Sequence, residues 1–192
     1  MKKIPTLFKR RFEGHKGIEV LQDITPGCEE AFAHGLATIK YDGFACAIIG
    51  GQLYKRFDAK PGKVIPKGAI KCQDSPDPVT GHFPHWIKCD RENPADKWFI
   101  RARDNFAKSN GWTNLIPDGT YEAVGIHFQG NPYGLESDML LKHGLQCIDV
   151  ARTFEGVKEW LEENNEEGLV FWLDGDPVCK IKRTDFGLKW GR

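Results

Sequence analysis

Lys40-Tyr41-Asp42-Gly43 puts a lysine directly before a turn, a position where lysines are usually solvated surface residues. It gains meaning from the segments that follow in order: Arg56, Tyr121-Glu122, Glu167-Gly168-Leu169-Val170 and Lys180-Ile181-Lys182. A lysine is a nucleophile only as the neutral amine, yet its ordinary pKa is about 10.4, so a reactive Lys40 needs surroundings that favour loss of its proton. Positive neighbours do this. Lys180 and Lys182 are two apart in an expected strand, so both side chains project to one face and can meet an anion such as phosphate there. They would stabilise charge developing in a transition state, while Cys179 and Ile181 face inward. Glu167 lies just before the strand expected to pair with theirs, so a carboxylate and a lysine face one pocket across that hairpin.

These residues need elements to hold them. Leu36–Lys40, Phe44–Ile49 and Gln52–Phe57 read as short strands, the last two joined by a tight turn at Gly50-Gly51. From Asp58 to Pro84 the chain is rich in Lys, Pro, Gly and Asp, which predicts a long functional loop. Asn93 is placed to cap a helix with Pro94 at its first position and Trp98, Phe99, Ala102 and Phe106 on one face, ending before Gly111. After a turn at Pro117-Asp118-Gly119, Thr120–Ile126 alternates as a strand and Gln129–Gly134 turns the chain again. Cys147–Ala151 is a further expected strand. Thr153 caps a helix carrying Phe154, Val157, Trp160 and Leu161, and Gly168–Leu173 and Val178–Arg183 are strands around Asp174-Gly-Asp-Pro177. The mixed order predicts an α+β fold.

At 192 residues the chain is expected to form one domain over 1–192, with no internal repeat. Its 27 basic and 27 acidic residues cancel, so a polyanion-binding surface has to come from local segregation of charge. Basic residues gather in an N-terminal arm over about 1–20 (Lys2, Lys3, Lys9, Arg10, Arg11, Lys16), again at Lys55, Arg56, Lys60, Lys63, Lys67 and Lys71, and from Lys180 to Arg192. The acidic stretch Glu159–Glu167 reads as a solvated helix face from which only Glu167 joins the site. Six dispersed cysteines without a CxxC pair, and no apolar N-terminal stretch, predict a reducing, cytoplasmic setting. No apolar run approaches the roughly 18 residues of a membrane span. Cys72, His82, His85 and Cys89 match no strong zinc spacing and are expected to be structural or exposed.

The ordered segments resemble motifs I, Ia, III, IV and V of the covalent nucleotidyltransferase superfamily of ligases and capping enzymes, over about 36–183. Asp77–Pro84 and His127–Gly134 look more narrowly like the small 5′-to-3′ RNA ligase family. The resemblance implies a nucleotidyltransferase ligase domain of antiparallel sheets and flanking helices. It also implies an ATP-dependent RNA ligase that joins 5′-phosphate and 3′-hydroxyl RNA ends in three steps through lysyl-AMP on Lys40. Lys180 and Lys182 would act on phosphate, Glu122 on the ribose, and Arg56 on the nucleotide sugar or the RNA 5′-phosphate. Asp42 would orient the turn, Gly43 would permit close backbone approach, and Glu167 would help hold Mg²⁺, with Mn²⁺ as an alternative.

Two departures bear on substrate choice. Many ligases of the superfamily carry a glutamate one or two places before the nucleophile that reads the adenine amino group; here Thr38 and Ile39 stand there, leaving that task to Thr38 or the backbone. Phe128 and Phe154 are candidates to stack on the base, though each is more expected in the core. The chain ends ten residues after Lys182. No C-terminal oligonucleotide-binding barrel like that of DNA ligases and capping enzymes is therefore expected, and a DNA ligase or guanylyltransferase is second to RNA joining. A non-catalytic nucleotide- or RNA-binding module is the reading from a different class.

Overall fold

Ile39, Leu169 and Ile181 stand on three neighbouring strands and are all nearly fully buried, while the residues on either side of each point the other way. Period-two alternation divides such a sheet into an apolar face and a polar one. The computed structural model describes residues 1–14, 16–111 and 116–191; Arg192, the end of the third basic stretch, lies outside the described residues. In chain order the strands are β1 (Phe8–Glu13), β2 (Lys16–Ile24), β3 (Leu36–Lys40), β4 (Phe44–Ile49), β5 (Gln52–Ala59), β6 (Ile70–Lys71), β7 (Phe83–Lys88), β8 (Gly119–Val124), β9 (Met139–Lys142), β10 (Cys147–Ile148), β11 (Gly168–Leu173) and β12 (Asp176–Lys182). The helices are α1 (Glu29–His34), α2 (Lys97–Ser109) and α3 (Phe154–Glu163). All pairings between these strands are antiparallel, and the fold is α+β.

The chain divides into two compact units, each with its own core. One comprises Met1–Lys3 and Asp42–His143; the other comprises Ile4–Tyr41 and the chain from Gly144 on. In the first, six strands follow the order β6-β7-β5-β4-β8-β9. Its core gathers Cys46, Ile48, Tyr121, Phe128 and Leu140 under α2, whose Ala102 is fully buried. In the second, four strands follow the order β10-β3-β11-β12, with the β1–β2 hairpin as a separate two-stranded sheet. Leu7, Phe8, Phe32, Ile39, Leu161, Leu169, Phe171 and Ile181 build that core.

Several boundaries follow local chemistry. Thr153 accepts a hydrogen bond from the Gly156 amide at 3.0 Å and so starts α3 as an N-cap. Asn93 accepts from the Ala95 amide at 3.1 Å, but the first turn it caps, Pro94–Asp96, is a 3₁₀ turn that leads into α2. The stretch read as a basic N-terminal arm overlaps the β1–β2 hairpin, in which Arg10 is ion-paired to Asp185. The expected long loop over 58–84 is interrupted by β6 and the start of β7. Cys147–Ala151 is strand only at Cys147–Ile148. Phe128 is a core residue, and Phe154 packs edge-on against Phe8 and Phe186. Among the described residues no helix is long and apolar enough to cross a membrane.

Candidate functional site

Antiparallel register puts Gly168 of β11 opposite Lys40 on one side and Lys182 on the other. Lys40, Gly168 and Lys182 therefore share one row across three strands, on the face opposite the core. The next row holds Thr38, Val170 and Lys180, again in register. Below them, Ala37, Ile39, Cys179 and Ile181 are buried, as the alternation required.

Glu167, one residue before the strand, has a side chain only 4% exposed and touches both lysines of the first row. One carboxylate oxygen is ion-paired to Lys40 Nζ, and the other lies 2.7 Å from Lys182 Nζ. Lys40 Nζ also donates to the Tyr41 carbonyl at 3.4 Å. Both contacts hold Lys40 Nζ beside the Glu167 carboxylate. The backbone of Lys180 is fixed separately: its amide donates to the Pro5 carbonyl at 3.0 Å and its carbonyl accepts from the Leu7 amide at 2.7 Å. Residues 5–7 thus cover the outer edge of β12.

Gly168 lets these strands approach closely. A Cβ there would overlap the Ile181 carbonyl oxygen, a backbone atom that cannot turn aside. Gly168→Ala is accordingly expected to destabilise the protein by about 1–3 kcal/mol. In urea unfolding this appears as a lower midpoint at unchanged slope; an unaltered midpoint contradicts the packing described.

Beside Lys40, Tyr41 donates its hydroxyl to Gln146 Oε1 at 3.0 Å, and burial pushes its pKa up, with the Glu166 charge adding to the effect. Thr38 is 1% exposed, and its hydroxyl accepts from the Trp172 indole at 2.8 Å. Thr38, which with the backbone was a candidate for base recognition, thus has its oxygen already engaged by Trp172.

The remaining site candidates belong to the other unit. Gly43 is placed so that a Cβ would overlap the Ala123 carbonyl oxygen, and the Asp42 amide donates to the Tyr133 hydroxyl at 2.6 Å. Arg56 on β5 donates to the Met1 carbonyl at 3.3 Å. Glu122 on β8 is buried and lies 2.9 Å from His143 Nε2, while His143 Nδ1 lies 3.1 Å from Thr120 Oγ1. His143 went unnoticed in the sequence because it is 21 residues from Glu122 and meets it only through the pairing of β8 with β9. Of the cysteine and histidine residues weighed for zinc, His82 pairs with Asp58 at 3.0 Å and His85 Nδ1 lies 2.8 Å from the Phe83 carbonyl. Among the described residues no group of three or more acidic, cysteine or histidine side chains is gathered to hold a metal.

No protein-family model matches the chain. Over 137 residues, 57% of the chain, it is 28% identical to RNA ligase 1 of Danio rerio. The chain is similar to RNA ligases. RNA ligase 1 of Pongo abelii is 26% identical over 141 residues, again 57% of the chain. Each comparison covers 42% of the relative, so the chain spans less than half the length of the curated RNA ligases it matches.

Proposed function

We propose that the protein is an ATP-dependent RNA ligase that carries AMP on Lys40. One observation supports this most strongly: a lysine, a buried carboxylate and a second lysine in contact beside the paired strands β3, β11 and β12, at positions that resemble the nucleotidyltransferase motifs. In the first step neutral Lys40 Nζ attacks the α-phosphorus of ATP, a nitrogen–phosphorus bond forms and pyrophosphate leaves. An oxygen of an RNA 5′-phosphate then attacks the same phosphorus and Lys40 leaves. Finally a 3′-hydroxyl attacks the RNA 5′-phosphorus and AMP departs, completing the phosphodiester.

Each residue has a separate task. Lys182 and Lys180 turn to phosphate oxygens and stabilise charge that grows as the bond to phosphorus forms. A single buried carboxylate suits Mg²⁺ when phosphate oxygens supply other ligands, and both Glu167 oxygens face cationic groups, so its position favours positive charge. A bound Mg²⁺ or Mn²⁺ would offset charge on the triphosphate. Glu122 accepts a ribose hydroxyl, and Arg56 contacts the sugar or the RNA 5′-phosphate through its planar guanidinium. Asp42 and Gly43 shape the turn that follows Lys40.

His143 holds Glu122 in position. Removing a hydrogen bond to a charged group costs about 1.5–3 kcal/mol, so His143→Ala is expected to raise the KM for ATP roughly tenfold or more and change kcat less. His143→Gln, which can still donate, should recover part of that loss. Equal losses in the two variants, or a change in kcat alone, would remove His143 from this role.

The decisive comparison for substrate uses nicked RNA and nicked DNA of one sequence, each with ATP or GTP. Joining of RNA with ATP is the expected outcome. Joining of DNA alone indicates a DNA ligase, transfer of GMP without joining indicates a guanylyltransferase, and tight RNA binding with no nucleotide transfer indicates a binding module.

A further inference from the structure

The stretch Lys60-Pro-Gly-Lys-Val-Ile-Pro-Lys-Gly-Ala-Ile-Lys71 contains four lysines and no acidic residue in a chain whose basic and acidic residues are equal in number. Two tight turns shape it. The Lys60 carbonyl accepts from the Lys63 amide at 3.0 Å around Pro61-Gly62, and the Pro66 carbonyl accepts from the Ala69 amide at 3.2 Å around Lys67-Gly68. Gly62 and Gly68 have φ of 79° and 80°, the left-handed backbone that a type II turn requires at its third residue. A Cβ on either glycine would meet nothing within 4 Å, so these glycines direct the backbone and make no room for a neighbour.

Packing enters at Pro61, whose Cγ lies 2.7 Å from where a Cβ on Gly81 would stand. Every residue from Lys60 to Gly68 is exposed, with Val64 at 87%. The segment is rooted where Ile70 pairs with Trp86 and where the Cys72 amide donates to the Pro84 carbonyl at 3.0 Å. The side chains of Lys60, Lys63 and Lys67 make no ion pair among the described residues, and Lys71 Nζ lies 5.7 Å over the Phe83 ring. A fixed, projecting row of unneutralised cations fits a polyanion whose charges repeat along its length. Apart from lysine it offers only Pro, Gly, Val, Ile and Ala side chains, none of which can hydrogen-bond to a base edge, so it reads charge and not sequence.

We infer that Lys60–Lys71 is a preformed clamp for the sugar–phosphate backbone of an RNA strand, gripping it without regard to sequence. This rests on the RNA-joining reading for the choice of RNA as the polyanion. The test measures binding of a 5′-phosphorylated single-stranded RNA of mixed sequence over a range of salt concentrations. The wild type is compared with the triple variant Lys60→Ser, Lys63→Ser, Lys67→Ser and with the matching triple arginine variant. Each lysine that neutralises a phosphate adds about 0.7 to the slope of log affinity against log salt for a single strand, so the serine variant should lose about 2 from its slope. The arginine variant should keep the wild-type slope. Thermal unfolding of each variant checks its fold, and if the serine triple does not fold, Lys63→Ser alone should lose about 0.7. An unchanged slope in a folded serine variant, or the same flattening in the arginine variant, overturns the clamp. Labelling of the wild type by ATP is followed in parallel. A flattened slope without labelling keeps the clamp and rejects the ligase; labelling with an unchanged slope does the reverse.

Discussion

Lys40→Ala is expected to reduce AMP transfer from ATP to the level without enzyme, while joining of RNA that already carries AMP on its 5′-phosphate survives. The split follows from the chemistry. In the proposed mechanism Lys40 would form and break bonds in the first two steps, and the third would need only an attacking 3′-hydroxyl and stabilisation of charge on phosphorus. The variant should fold, because Glu167 keeps Lys182 as a partner at 2.7 Å; a stability loss of about 1 kcal/mol is expected. Denaturing gels with α-labelled ATP check the first step, and joining of pre-adenylated RNA checks the last. A labelled alanine variant would mean that another residue is the nucleophile.

Glu167→Ala should cause two separable losses. Its carboxylate is the shared counter-ion of Lys40 and Lys182, so its removal leaves two ammonium groups facing one another. Breaking a fully buried pair costs about 3–5 kcal/mol. Because the Lys182 side chain is 37% exposed, water screens part of this, and about 1–3 kcal/mol is expected. AMP transfer should fall on the order of 10²–10³-fold, the size of effect seen when a group that stabilises the transition state is removed. Glu167→Gln preserves shape without charge, and should regain stability more than activity. Wild-type stability and rate in Glu167→Ala would leave the carboxylate without the role assigned to it.

Much of the Lys40 surroundings could be read from the chain because alternation carries the information. Lys180-Ile181-Lys182 and Thr38-Ile39-Lys40 each place two polar side chains around a buried apolar one, and this pattern fixes which face each occupies. The caps at Thr153 and Asn93 were similarly legible, since capping depends on neighbours two or three residues away. What escaped depends on long-range pairing. Arg10 and Arg11 gave β1 the look of a basic arm, although Phe8 at its start is buried. The four-residue β9 is too short for a periodic signal, and without it the contact of His143 with Glu122 has no local trace. The hydrogen bond from Trp172 to Thr38 likewise exists only once β3 and β11 are paired. The division into two units, with chain crossings after Lys3, Tyr41 and His143, depends on the same kind of contact.

Intact mass after incubation with ATP and Mg²⁺ tests the central claim most directly. A gain of one AMP is expected, located on Lys40 by peptide mapping and discharged when RNA with a 5′-phosphate is added. An unchanged mass, or AMP attached to a different residue, would contradict it.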